Sequence, residues 1–196
     1  MNQDTIAAIS TGMTNSGIGI VRISGSEALE IADRVYKGKE TITEVPTHTI
    51  HYGHVMDGDE TVDEVLVMVM RGPRTFTGED TVEINCHGGT YVVSRVLETV
   101  LKAGARPAEP GEFTKRAFLN GKMDLSQAEA VIDLINSENE YALQSSVSQL
   151  KGSVKSAINE LRSKILYHTA FIETALDDPE HISVDGYGEI LKGVSE

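Results

Sequence analysis

The hydrophobic pattern of this chain changes period once, near residue 122, and that change limits what the chain can fold into. Up to about Lys102 the apolar residues come in short runs and alternations that predict strands, broken by two stretches of helical spacing. From Asp124 onward they recur only at steps of three and four. Sheet with helix followed by helix alone predicts an α+β chain of two domains, 1–121 and 122–196.

Within the first domain, GIGIVRIS (residues 17–24) predicts a buried strand, and HTIHYGHVM and VDEVLVMVMRG predict two strands joined by the turn DGDE. The unbroken run Val65–Met70 predicts a strand covered on both faces. DTVEINCH is a clean alternation. SEALEIADRVYK, with Ser26 as its cap, and GGTYVVSRVLETVLKAG predict helices. PGEFTKRAFL predicts a short helix that stops at Asn120-Gly121. The next helix, LSQAEAVIDLI, opens with Asp124 and Gln127, or with Ser126 and Glu129, at capping-box spacing. Leu143, Val147, Leu150, Val154, Ile158, Leu161, Ile165, Ile172 and Leu176 then form one stripe running almost to Pro179. It predicts a single continuous helix about 50 Å long at ~1.5 Å per residue, and such a stripe must be covered by something. EHISVDGYGEILKGVSE predicts a loop or tail.

Charge and cysteine content narrow the function. The formal net charge of −13 repels nucleic acid at long range, so a nucleic-acid role would need a local basic patch or a helping partner. One cysteine, Cys86, allows no internal disulfide and points to a reducing compartment. No signal peptide or membrane span is legible.

Several side chains could carry chemistry. Arg22 shares a strand face with Ile18 and Ile20, and a guanidinium in so apolar a run needs an anion or several acceptors. It is either a structural ion pair with a carboxylate such as Glu83 or a ligand contact, and the residues alone leave both open. Thr81, Glu83, Asn85 and His87 line one face of their strand, either a solvated face, favoured by alternation alone, or the floor of a polar pocket. Lys115, Arg116 and Lys122 form a local cationic cluster, whose ordinary meaning is a solvated helix face. His48, His51 and His54 are read as surface histidines rather than metal ligands, because a strand turns His51 away from the other two. Cys86 and His87 point apart, so they are not a nucleophile pair, and Cys86 is read as a small buried residue. No G-x-x-x-x-G-K-[ST] occurs, so this chain cannot hold a nucleoside triphosphate by that loop and is not expected to hydrolyse one.

Three separated motifs, GIGIVRISG, then PRTFTGEDTVEINCHGG, then PGEFTKRAFLNGKMDLSQAEAVIDLI, resemble in content and order the amino-terminal part of the tRNA-modification GTPases of the MnmE (TrmE) family, from residue 4 to about 180. The resemblance implies a mixed-sheet folate-binding and dimerisation domain, similar to that of glycine-cleavage aminomethyltransferases, followed by half of a helical domain. It implies a bound 5-formyltetrahydrofolate or another tetrahydrofolate, with Arg22, Glu83 and Lys122 as the folate-binding residues. It implies a GTPase domain soon after residue 196, with GTP, magnesium and potassium, so that this chain is the front part of a longer cytoplasmic protein. A folate-binding lysine from the family's far C-terminus would be supplied from there. The implied partners are a second copy, the flavoprotein MnmG and tRNA. The implied activity is installation of a carboxymethylaminomethyl-type group at carbon five of the wobble uridine. A free-standing folate-dependent one-carbon transferase is the alternative from another class, and a helical interaction protein without a ligand is the third.

Overall fold

The structure, a computed structural model, describes residues 4–178 together with 187 and 188; the loop or tail expected after Pro179 lies outside the described residues. The chain divides into two compact units, Met1–Met123 and Asp124–Glu196.

The first unit is a seven-stranded mixed sheet with three helices. Its strands are β1 (Ile6–Ile9), β2 (Gly19–Ser24), β3 (Tyr36–Gly38), β4 (Thr49–Asp57), β5 (Glu60–Met70), β6 (Thr81–Cys86) and β7 (Arg106–Pro107), in the order β3-β4-β5-β6-β2-β1-β7. Every pairing is antiparallel except β1 with β7. The helices are α1 (Ala28–Val35), α2 (Thr90–Lys102) and α3 (Glu112–Leu119).

Alternation decides which side of the sheet is core. Val21, Ile23, Val67, Val69, Val82 and Ile84 point to one face and are fully buried beneath α1 and α2, which contribute Ile31, Val35, Val93, Val96 and Val100. Each such side chain taken out of water stabilises by about 1.5–3 kcal/mol, so this layer holds the unit together. The opposite face carries Ile50, Tyr52, Leu66, Ile20, Arg22, Glu83 and Asn85. Leu66 is 48 % exposed, whereas its neighbours Val65 and Val67 are buried. The Val65–Met70 run is therefore covered on one face, not both, because its even-numbered residues lie on the open side. Ser26 does not cap α1: the helix is entered at Glu27, whose N–H donates to the Thr5 hydroxyl at 2.9 Å.

The second unit contains α4 (Leu125–Ile135), α5 (Glu140–Leu150) and α6 (Ser153–Asp177). Asp124 and Gln127 form the capping box: the Asp124 carboxylate accepts the Gln127 N–H at 2.9 Å and the Gln127 side chain accepts the Asp124 N–H at 2.9 Å. The expected single helix is two. Gly152 takes φ +85°, a left-handed conformation that closes α5, and its N–H bonds the Gln149 carbonyl. Gln127 of α4 donates to the freed Leu150 carbonyl at 2.7 Å. Periodicity hides this break, since Leu150 and Val154 keep the four-residue step across it. Ile158, Leu161, Ile165 and Leu176 of α6 remain exposed.

Candidate functional site

Arg22 and Glu83 stand directly opposite each other on β2 and β6. Arg22 Nε donates to Glu83 Oε1 at 2.7 Å, and a terminal nitrogen of the same guanidinium lies 2.7 Å from that oxygen as an ion pair. Among the described residues no hydrogen bond falls on Glu83 Oε2. The Glu83 side chain keeps 14 % of its surface and that of Arg22 keeps 28 %, so the pair is shielded yet reachable. The polar face of β6 is graded rather than uniformly solvated: Thr81 is buried, Glu83 and Asn85 are half-buried and His87 is exposed.

What shields the Thr81 end is α3 and the loop 71–80. Phe113 of α3 and Phe76 of the loop flank Arg22, with its guanidinium carbon 5.6 Å and 5.8 Å from the two ring centres. The loop is fastened on several sides. Gly72 N–H donates to Asp80 at 2.8 Å, Thr75 Oγ1 donates to the Glu79 carbonyl at 2.7 Å, and the Thr77 and Ser24 hydroxyls bond at 2.7 Å.

Lys122 is part of that fastening. Gly121 takes φ +71° and α3 closes in a Schellman motif, with Gly121 N–H on the Phe118 carbonyl and Lys122 N–H on the Ala117 carbonyl. Held there, Lys122 runs its alkyl chain past Gly78, where an added Cβ would lie 3.2 Å from its Cγ, and its ammonium donates to the Pro73 carbonyl at 2.9 Å. The structure thus joins Arg22 and Glu83 in one ion pair and sets Lys122, exposed, on the loop beside them.

Arg116 is not a solvated cation. Its side chain is only 9 % exposed and meets three acids: Asp4 at 2.7 Å, Glu79 at 3.2 Å and Glu112 at 3.2 Å. Arg106 closes the network at 2.6 Å from both Asp4 and Glu112. Hydrogen bonds from Arg106, against the opposing effect of burial, hold the Glu112 carboxyl down at about 2. The expected cationic cluster is therefore dissolved, because its central member is neutralised by Glu112 on its own helix and by Asp4 and Glu79 far away in sequence. A cavity of about 530 Å³ borders this network, lined among others by Asp4, Glu79, Asp80, Glu112, Lys115 and Asn120; none of Arg22, Glu83 and Lys122 lines it.

The histidines separate. His48 precedes β4 and faces the Arg74 carbonyl at 3.2 Å, His51 bonds the Thr49 hydroxyl, and His54 packs edge-on against Tyr52. Cys86 is buried, and burial pushes its thiol up to about 11. His87 Nδ1 lies 2.8 Å from Asp63, whose hydrogen bond raises the imidazole above its usual range. Asp63, Phe76, Phe113 and the acids around Arg116 were not legible as site residues. Only the four-residue step from Glu112 to Arg116 carried a local signal. Among the described residues no helix is long and apolar enough to cross a membrane.

Comparison with known proteins bears on this geometry. The family model described as "GTP-binding protein TrmE N-terminus" matches residues 5–122, and that described as "MnmE helical domain" matches residues 125–196. A protein of Lachnoclostridium phytofermentans named tRNA modification GTPase MnmE is 56% identical over 195 residues, covering 98% of this chain and 43% of its own length. Proteins of the same name from Bacillus subtilis and Enterococcus faecalis are 53% and 54% identical, over 93% and 94% of this chain and 40% of their own lengths. The chain thus spans about two fifths of the length of the curated relatives it matches.

Proposed function

Because the chain belongs to the MnmE family of tRNA-modification GTPases, we propose that its first unit binds a tetrahydrofolate, 5-formyltetrahydrofolate among them, through Arg22, Glu83 and Lys122. The observation that carries this reading is the Arg22–Glu83 pair, half-shielded on an otherwise open sheet face with one carboxylate oxygen outside the pair. A 2-amino-4-oxo pyrimidine ring offers two adjacent N–H donors, which a carboxylate accepts strongly, each bond being worth about 1.5–3 kcal/mol. Lys122 spends its ammonium on a neutral carbonyl, and an anionic group of the ligand would be the stronger acceptor.

The remaining activity follows from the family. GTP hydrolysis, with magnesium and potassium, belongs to the longer protein, and so does modification of carbon five of the wobble uridine together with MnmG in the cytoplasm. With a formal charge of −13 and Arg116 neutralised, this chain itself holds tRNA weakly at most. A second copy would dock on the open sheet face, where Ile18, Ile50, Tyr52 and Leu66 are 48–62% exposed. The uncovered stripe of α6 is the surface that helices of the longer protein would complete.

Calorimetry with 5-formyltetrahydrofolate on the wild-type chain and on Glu83→Gln tests the assignment. A clear loss of affinity in the variant is expected. Equal affinity of the two proteins, or no binding by the wild type, would overturn it.

A further inference from the structure

We infer that Phe76 is the stacking wall of the Arg22–Glu83 site, the surface on which the flat pyrimidine ring of the ligand's reduced pterin lies and by which the site selects that ring; the inference rests on the folate reading above. Phe76 keeps 39% of its surface although the residues on either side, Thr75 and Thr77, are buried. An aromatic ring exposed by a slack loop would mean little, but this loop is held at Thr75, Thr77 and Gly78. Gly78 N–H donates to Thr75 Oγ1 at 2.9 Å and Asn120 donates to the Thr77 carbonyl at 2.8 Å. The backbone thus fixes its two neighbours inward and turns Phe76 out. Arg22 fixes where the ring stands, since its guanidinium lies 5.8 Å from the ring centre.

The same guanidinium donates to Glu83. One cation therefore registers an aromatic face against a carboxylate with a spare oxygen. A ligand that uses both must present in-plane N–H donors and a π face at right angles to them, which describes a fused pyrimidine ring. A benzoyl or aliphatic fragment supplies at most the stacking half. Phe113, 5.6 Å from the same guanidinium and half-buried in α3, braces Arg22 from its own element.

The chain contains no tryptophan, so Phe76→Trp places a single indole reporter at this position. In titrations with 5-formyltetrahydrofolate, the Trp variant should bind within about threefold of wild type and its emission should fall as the site fills. Phe76→Leu should lose about tenfold in affinity, the scale of one aromatic stack. The benzoylglutamate half of the ligand, added alone, should leave the indole emission unchanged. If Phe76→Leu matches wild type while Glu83→Gln is impaired, the wall is wrong and the folate site stands. Indole emission that ignores saturating folate, or that responds equally to benzoylglutamate, also overturns the wall. Failure of the wild-type chain to bind removes both readings. Should Phe76→Leu not fold, the indole titration alone decides.

Discussion

Replacing Arg116 by methionine removes one guanidinium from a site built around it. Two of its nitrogens make five contacts: the Asp4 carbonyl at 2.9 Å, Asp4 Oδ1 at 2.7 Å, the two Glu79 carboxylate oxygens at 3.2 Å and 3.4 Å, and Glu112 at 3.2 Å. Breaking a buried pair by deleting one partner costs about 3–5 kcal/mol, chiefly because the other charge is left uncompensated. Here no acid is wholly stranded. Glu112 and Asp4 keep Arg106 at 2.6 Å, and Glu79 keeps the Ser24 hydroxyl at 2.8 Å. The methionine also refills most of the volume. The expected loss is therefore at the low end, about 3 kcal/mol. Native-state hydrogen exchange at Val21 and Ile84, fully buried on adjacent central strands, reads the opening of the whole first unit. At neutral pH both amides should lose protection by the same free energy. A loss under about 1 kcal/mol would mean that Arg116 and its three acids are no better than a surface pair, and the account of the network would fall.

Acid should weaken the first unit through Glu112. Its carboxyl titrates at about 2 when folded and at 4.5 otherwise, so the unfolded chain takes up the proton first, and the stabilisation present above pH 4.5 is lost as pH falls toward 2. With Arg106 39 % exposed and its charge partly screened, this amounts to about 2 kcal/mol. Melting temperature against pH should show that slope in wild type and a shallower one in Glu112→Gln. Gly152→Ala should destabilise the helical unit by about 1 kcal/mol, since alanine resists φ +85° while its Cβ would meet only Gln127 at 3.7 Å; a rise in helical melting temperature would show that α5 and α6 prefer to merge. Cys86, 4% exposed and pushed up to about 11, should resist an aromatic disulfide reagent at pH 8 and react promptly once the chain is unfolded in urea.

Features decided within one turn of chain were legible in the sequence. The Gly121 stop and the Asp124–Gln127 box are of this kind, because their hydrogen bonds span three to five residues. Features decided by register were legible only as alternatives or not at all. An ion pair with Glu83 was one of the two readings open for Arg22, and only the β2–β6 pairing, across 61 residues, sets the two opposite each other. Arg116 was misread for the same reason: its acids lie as far away as Asp4, 112 residues back. The run Val65–Met70 misled through chemistry, since Leu66 is apolar yet lies on the open face. Gly152 was visible as a lone glycine, but the stripe on either side keeps its step, and the Gln127 side chain that completes the break comes from another helix. The two-residue strand β7 carries no pattern at all.

The placement of β1 has a consequence for how the chain is made. Its residues are synthesised before every other element of the first unit, yet β1 is completed on one side by Arg106 and Pro107 and locked by Arg116 onto Asp4. At about 5–20 residues per second, several seconds pass between the first strand and the helix that secures it. Until then the β4–β5 hairpin, a local pairing, can form by itself, while β1, β2 and β6 wait with one flank open. The first unit is thus sealed from its end back to its beginning, and a nascent chain stopped short of α3 would present that unsealed flank to chaperones.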